Sequence, residues 1–161
     1  MYKIGKRLIC PMYGGCVVQR VYVPEGVEPK VKYYELAVLC DDLILNIPVS
    51  KAKELGLREA SAPSCLKEIE KVLGAPPAVK KVKSVAWNRR QQLYTERIKS
   101  GDPVEVAAIY KILWLLQGSQ RISVGEKRFY KTCRRILQTE IMLILDKDAE
   151  YVSKWIDDRT K

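Results

Sequence analysis

Residues 102–117, DPVEVAAIYKILWLLQ, decide the fold of the larger part of this chain. The stretch opens with helix-start chemistry. Asp102 can accept from the free N–H groups of a first turn, Pro103 suits the first helical position, and Glu105 stands three residues past the cap. Its body holds Val106, Ile109, Tyr110, Ile112, Leu113, Leu115 and Leu116. A helix apolar around so much of its circumference must be surrounded, which predicts the central helix of a bundle. Trp114 lies within it and is expected to pack in the core or between domains.

Outward from this helix, the helical signals continue in both directions. Gly101 stops an earlier helix expected over about residues 85–99, with Trp87 at or just before its first turn. Leu93 and Ile98 belong to its buried side, leaving Arg90, Gln91 and Arg97 for solvent or a ligand. Before it, Ser64 can cap a short helix over residues 65–73 that ends at Gly74, and Ala75-Pro76-Pro77-Ala78 makes a stiff break. Downstream, Ser123-Val124-Gly125-Glu126 is a capping box for a helix running to about Leu145, with Phe129, Cys133, Ile136, Leu137 and Leu143 as its buried material. Asp148 or a neighbour begins a last helix that holds Tyr151, Val152, Trp155 and Ile156. Residues 64–161 therefore read as a compact all-helical domain of four or five helices.

The first 60 residues have another period. Tyr2, Ile4 and Leu8-Ile9-Cys10, then residues 16–23, 31–39 and 43–47, are short runs rich in valine, isoleucine and tyrosine, and read as strands. Pro11-Met12-Tyr13-Gly14-Gly15 and residues 24–29 are turns, Asp41-Asp42 is a hairpin signal, and Pro48 ends a strand because it cannot donate to a ladder. Ser50 to Leu55 suits a helical turn, and Leu57-Arg58-Glu59 is expected to return as a final short strand. Four or five strands in so short a segment suggest a small, strongly bent barrel that can offer an edge strand to a partner chain. The expected fold class is α+β: a Tudor/SH3-like small β-barrel over residues 1–60, followed by the helical domain.

Charge divides the chain in the same place. The net charge of +10 is split into +2 over residues 1–60 and +8 over residues 61–161. Residues 80–99 alone hold Lys80, Lys81, Lys83, Arg89, Arg90, Arg97 and Lys99 against a single Glu96, with Trp87 among them. A flat ring beside guanidinium and ammonium groups can meet both the stacked bases and the phosphates of a nucleic acid. The same residues also fit a plainer reading, in which Trp87 caps a helical core and the charges are solvated. The nearly neutral first part suits a protein-binding module.

Several chemistries find no residues to carry them. Histidine is absent, so no Ser/His/Asp or Cys/His arrangement can be assembled, and Asp41-Asp42 and Asp157-Asp158 are adjacent pairs whose side chains diverge. There is no Walker lysine, and Gly14-Gly15 lacks the GxGxxG context, reading instead as a turn. Cys10, Cys16, Cys40, Cys65 and Cys133 form no CxxC pair, which suggests buried reduced thiols in a cytosolic protein rather than zinc. Cys10 and Cys16 are close enough in sequence to approach across a turn. No catalytic residue, metal or cofactor is expected. The start lacks the apolar core of a signal peptide, and the run from Ile141 to Leu145 is too short to span a bilayer.

The motifs in order resemble one family. MYKIGKRLICPMYGGCVV at the start is similar to the opening of the bacterial CarD/CdnL transcription regulators, as are Lys32-Tyr33-Tyr34-Glu35-Leu36, Asn46-Ile47-Pro48-Val49 and Gly56-Leu57-Arg58-Glu59. Trp87-Asn88-Arg89-Arg90, Ser100-Gly101-Asp102 and Ser123-Val124-Gly125-Glu126-Lys127-Arg128 follow in the same order. The resemblance implies a Tudor-like domain that docks on the β subunit of bacterial RNA polymerase, partly by pairing an exposed strand, here Leu43, Ile44, Leu45, Asn46, Ile47 and Pro48. It further implies a helical domain that contacts promoter DNA at the upstream edge of the melted bubble. There Trp87 would wedge into the minor groove, with Arg89, Arg90, Lys80, Lys81 and Lys83 beside it. The implied protein is a monomer when free, cytoplasmic, and associated with the nucleoid through polymerase; no membrane is involved. This chain departs from some relatives at Asn46, where they carry a basic residue, and at Gln92, where they carry lysine. Two other classes remain: a DNA-binding architectural protein without a polymerase partner, and a scaffold whose two domains both bind protein.

Overall fold

A computed structural model describes residues 1–76, 86–119 and 122–161. The first part is a four-stranded antiparallel sheet in the order β1 (Arg7–Cys10), β2 (Gly14–Tyr22), β3 (Tyr33–Val38), β4 (Ile44–Pro48). The alternation in β3 shows why: Tyr34, Leu36 and Val38 are buried, while Tyr33, Glu35 and Ala37 lie on the other, less buried face. Leu8, Cys10, Cys16, Val18 and Ile47 complete the inner face with Ala52 and Leu57. Where a bent barrel is expected, the structure shows this sheet with one further bridge. Ile9 N donates to Arg58 O at 2.7 Å and Arg58 N to Ile9 O at 3.1 Å, so the returning segment meets the outer edge of β1 in a single pair. Among the described residues β4 pairs only with β3 and is an edge.

The Gly14-Gly15 pair is not the turn. Residues 11–13 turn the chain, with Met12 at φ +75°, and the two glycines open β2 opposite Cys10 and Ile9. A Cβ on Gly14 would sit 2.5 Å from Thr139 Oγ1 and 3.0 Å from Ile136 Cα. The pair is small because a helix lies on it.

Five helices follow among the described residues: α1 (Cys65–Gly74), α2 (Trp87–Lys99), α3 (Pro103–Gly118), α4 (Val124–Leu145) and α5 (Ala149–Arg159). Three starts behave as their sequence suggests. Asp102 accepts from Val104 N at 2.9 Å, Asp148 accepts from Tyr151 N at 2.8 Å, and Ser123 with Glu126 makes a reciprocal capping box. Ser64 does not cap α1, because it already has helical dihedrals and its side chain makes no cap bond. α3 is central: Val106, Ala107, Ile109, Tyr110, Leu113 and Leu116 pack with Ile69, Tyr94, Ile98, Cys133, Leu137, Ile141 and Ile156. Trp114 is half-buried against the same core.

Lys111 lies on this central helix too, only 1% exposed. Its ammonium donates to Leu73 O at 2.5 Å, near the end of α1, and to Lys161 O. Burial lowers its pKa, and these carbonyls supply the polar partners that a charge taken from water requires.

On α2 the phase differs from expectation. Tyr94 and Ile98 are the buried pair, and Leu93 is only half-buried. Leu93 and Ile98 are five residues apart, about 140° around a helix, so they cannot share one face. Residues four apart can.

The sheet and the helices meet along α4. Gly15 N donates to Thr139 Oγ1 at 2.7 Å, and Arg135 reaches Asp41 Oδ2 at 2.8 Å and Tyr13 O at 3.3 Å. At the centre is Glu140, 1% exposed. Its two oxygens each take a 3.0 Å hydrogen bond from Arg58, and Oε1 also accepts from Ser61 N (3.1 Å) and Ser61 Oγ (2.7 Å). Arg58 further donates to Gly101 O at 2.5 Å. Removing one member of a buried pair leaves the other charge uncompensated. Arg58→Ala, which leaves the buried Glu140 without its counter-charge, should therefore cost about 3 kcal/mol, read as a fall in the urea midpoint. A loss below about 1 kcal/mol, the level of an exposed pair, would show that the pair does not hold the two parts together.

Candidate nucleic-acid interface

Trp87 is the first residue of α2, preceded by Ala86, which supplies no side-chain cap. The ring is half-buried and held by the start of α4. A Cβ on Gly125 would stand 2.6 Å from its Cζ2 and 3.2 Å from Cη2, so the benzo edge of the indole occupies the space that a side chain at 125 would need. The Phe129 ring meets it edge-on at 6.5 Å and 73°, and Phe129 in turn meets Tyr94 at 5.5 Å. Burial, with Glu126 nearby, pushes the Tyr94 phenol up to about 12.

Arg90 is placed differently from expectation. It is not left for solvent or a ligand. Its guanidinium lies 5.4 Å from the Trp87 ring centroid and 3.3 Å from Glu126 Oε1, with only 13% of the side chain exposed. The reason is helical phase: position 90 is three after Trp87 and four before Tyr94, on the inner face of α2. Arg89, Gln91 and Gln92 are exposed, and among the described residues Arg89 makes a single 3.5 Å side-chain contact, to Gln92 Oε1. Lys80, Lys81 and Lys83 lie outside the described residues.

The charge on α4 also divides by geometry. Arg134 bonds Asp157 Oδ1 and Tyr110 Oη, each at 2.8 Å, and Arg135 is spent on Asp41. Lys127, Arg128 and Lys131 are exposed, and among the described residues none of them has an acidic partner within salt-bridge distance. These three, with Arg89 and Lys99, are the cations that α2 and α4 leave to an anionic partner.

The expected docking strand sits at the sheet edge. Leu43 and Ile44 are 38% and 44% exposed. Asn46 is exposed and accepts from Tyr22 Oη at 2.8 Å, whereas Ile47 is buried in the sheet core and Leu45 and Pro48 are half-buried. A groove of about 500 Å³ runs beside this edge, lined by Leu45, Asn46, Ile47, Met12, Leu55 and Lys99. Lys99 is the last residue of α2, so the helix that begins at Trp87 ends beside β4.

The thiols fit the expectation of burial at three positions of five. Cys10, Cys16 and Cys133 are buried and their thiols are pushed up by desolvation, Cys10 to about 11 and Cys16 to about 12. Cys40 is exposed and Cys65 half-exposed. Among the described residues no group of three or more His, Cys, Asp or Glu side chains could hold a metal ion, and no helix is long and apolar enough to cross a membrane.

Gly125 is the site residue that its motif conceals, because inside a capping box it passes for a spacer. Gly125→Ala should displace the indole and lower stability by about 1–3 kcal/mol, the range for overpacking a tight contact. Chemical denaturation measures it; a variant as stable as the parent would mean that the ring is not seated there.

The family model for the CarD C-terminal domain matches residues 68–157, more than half of the chain, and spans the helices from α1 to α5. A protein of Bacillus subtilis (strain 168) named "Putative transcription factor YdeB" is 23% identical over 144 residues, covering 89% of this chain and 92% of that one. That similarity extends over the sheet as well as the helices. The two-part architecture is that of a transcription regulator, and the chain belongs to the CarD/CdnL family of bacterial transcription regulators.

Proposed function

We propose that this protein docks on the β subunit of bacterial RNA polymerase through residues 1–60 and meets promoter DNA through residues 64–161, stabilising the open complex. The observation that carries this reading is the half-exposed Trp87 at the start of α2, seated on Gly125 and flanked on the adjoining turns of α2 and α4 by Arg89, Lys127 and Arg128, exposed cations with no acidic partner among the described residues. A ring so placed can enter the minor groove at the upstream edge of the bubble, exchanging unstacking cost for contact, while the cations take phosphates. Lys80, Lys81 and Lys83 add phosphate contacts from the segment just before α2. Arg90 acts behind the ring rather than on a phosphate.

Docking uses the free edge of β4. An extended strand of the β subunit pairs along Leu43, Ile44, Leu45, Asn46, Ile47 and Pro48, taking main-chain hydrogen bonds, with Leu43 and Ile44 as apolar contacts. The bridge from Arg58 to Ile9 supports a Tudor-like closure of this part. No bond is broken; the protein shifts an equilibrium by binding the open state better than the closed one. It acts in the cytoplasm, on the nucleoid through polymerase, and is a monomer when free.

The decisive measurement is the lifetime of polymerase–promoter open complexes under a competitor that traps released polymerase. The protein should lengthen it. Trp87→Ala should abolish most of that gain while retention by the β subunit stays intact; parallel loss of both would contradict the wedge. Separately, Arg89→Ala should lower the slope of log affinity against log salt by about 1, and an unchanged slope would move the phosphate contacts elsewhere.

A further inference from the structure

Among the described residues, three buried polar side-chain atoms have no hydrogen-bond partner: Arg90 Nε, Tyr94 Oη and Glu126 Oε2. Buried polar groups are paired in the great majority of cases, so three in one place need a cause. All three belong to side chains gathered behind Trp87. Glu126 is the fixed member. Its Oε1 accepts from Ser123 N at 3.4 Å, from Ser123 Oγ at 3.1 Å and from Arg90 at 3.3 Å, while Oε2 takes nothing. The carboxylate is thus oriented by the first turn of α4, and Arg90 comes to it. In doing so the guanidinium forgoes a partner for Nε and gains a place over the indole.

We propose that Glu126 is a positioning residue for Trp87. Through Arg90 it fixes the indole with its benzo edge on Gly125, so that DNA meets the part of the ring left uncovered by Gly125, Phe129 and Arg90. The proposal rests on reading Trp87 as the group that meets promoter DNA. A guanidinium over a ring is attracted to the π-face, and one already held by a carboxylate loses little further freedom in staying there. The capping box therefore has two tasks: it starts α4, and it sets the angle of a tryptophan on another helix.

The test separates those tasks. In the full-length W114F/W155F protein Trp87 is the sole indole, and acrylamide quenching of its fluorescence reports how the ring is held. Glu126→Gln keeps the shape and an oxygen that can accept from Ser123 but removes the charge that holds Arg90. The quenching constant should rise at least twofold. Ser123→Ala, which loses one of the hydrogen bonds to Oε1 and keeps the Ser123 backbone N–H, the carboxylate and the guanidinium, should raise it less than Glu126→Gln does. Arg90→Lys, which keeps the charge but not the planar group over the ring, should rise with Glu126→Gln, and it carries the test should the glutamine variant not fold. Quenching unchanged in the Glu126 and Arg90 variants, or raised equally by Ser123→Ala, overturns the proposal. Open-complex lifetimes then tell its failure from that of the DNA reading. Shorter lifetimes in the variants with raised quenching support both. Raised quenching with lifetimes unaltered, in Trp87→Ala as well, leaves Glu126 as the residue that orients the ring and removes the DNA role from that ring.

Discussion

Glu140 is a carboxylate with almost no access to water, and the arrangement of the whole chain follows from how its charge is met. Arg58 approaches it with two nitrogens, and Ser61 adds a backbone N–H and a hydroxyl. Arg58 belongs to the segment that closes on β1, Ser61 to the connection before α1, and Glu140 to the C-terminal half of α4. The spare donor of Arg58 goes to Gly101, between α2 and α3. One ion pair thus relates the sheet, its exit and three helices. A buried pair of this kind adds little net stability over an apolar replacement, but each half demands the other. What it supplies is a single way to join the parts.

The +8 net charge of residues 61–161 is a poor guide to what an anionic partner would meet. Arg90, Arg134 and Arg135 look equivalent to Arg89, Arg128 and Lys131 in the sequence, yet the first three bond Glu126, Asp157 and Asp41. Arginine suits such work because its planar fork can serve several acceptors at once, as Arg134 does for Tyr110, Asp157 and Ser153. The charges left over line the outer sides of α2 and the first half of α4. They lie around the half-buried indole and the exposed Val124 at the start of α4.

Local chemistry made much of the fold legible in the sequence. The starts of α3, α4 and α5 could be read because a cap, an N1 proline and a capping box act within four residues. β2, β3 and β4 could be read within two residues from short β-branched and aromatic runs, whereas β1 begins at Arg7 and not at Tyr2, and the strand expected at Leu57–Glu59 is a single bridge. What could not be read depends on distant partners. The pairing of Glu140 with Arg58 spans 82 positions and leaves no periodic trace. Lys111 is hidden among leucines and isoleucines because its stem is apolar and its carbonyl partners come from the end of α1 and from Lys161. Gly14 and Gly15 look like turn residues until α4 lies across them. In the candidate site, the place of Trp87 at the first turn of α2 and the exposure of Arg89 were legible. The withdrawal of Arg90 was not, because it needs both the phase of α2 and the neighbouring α4.

Helix α2 has a further property that follows from its two ends. Its 13 residues run from Trp87, against α4, to Lys99, in the groove beside β4. At 1.5 Å per residue that is a rod of roughly 20 Å. A rod of helix cannot be lengthened smoothly: each inserted or deleted residue moves one end by about 1.5 Å and turns it by about 100°. A one-residue change would swing the indole off Gly125 altogether, whereas about seven residues would be needed to bring it back near its bearing, by then some 10 Å away. Distance and direction are locked together in this element, so its length is tuned in whole turns or not at all.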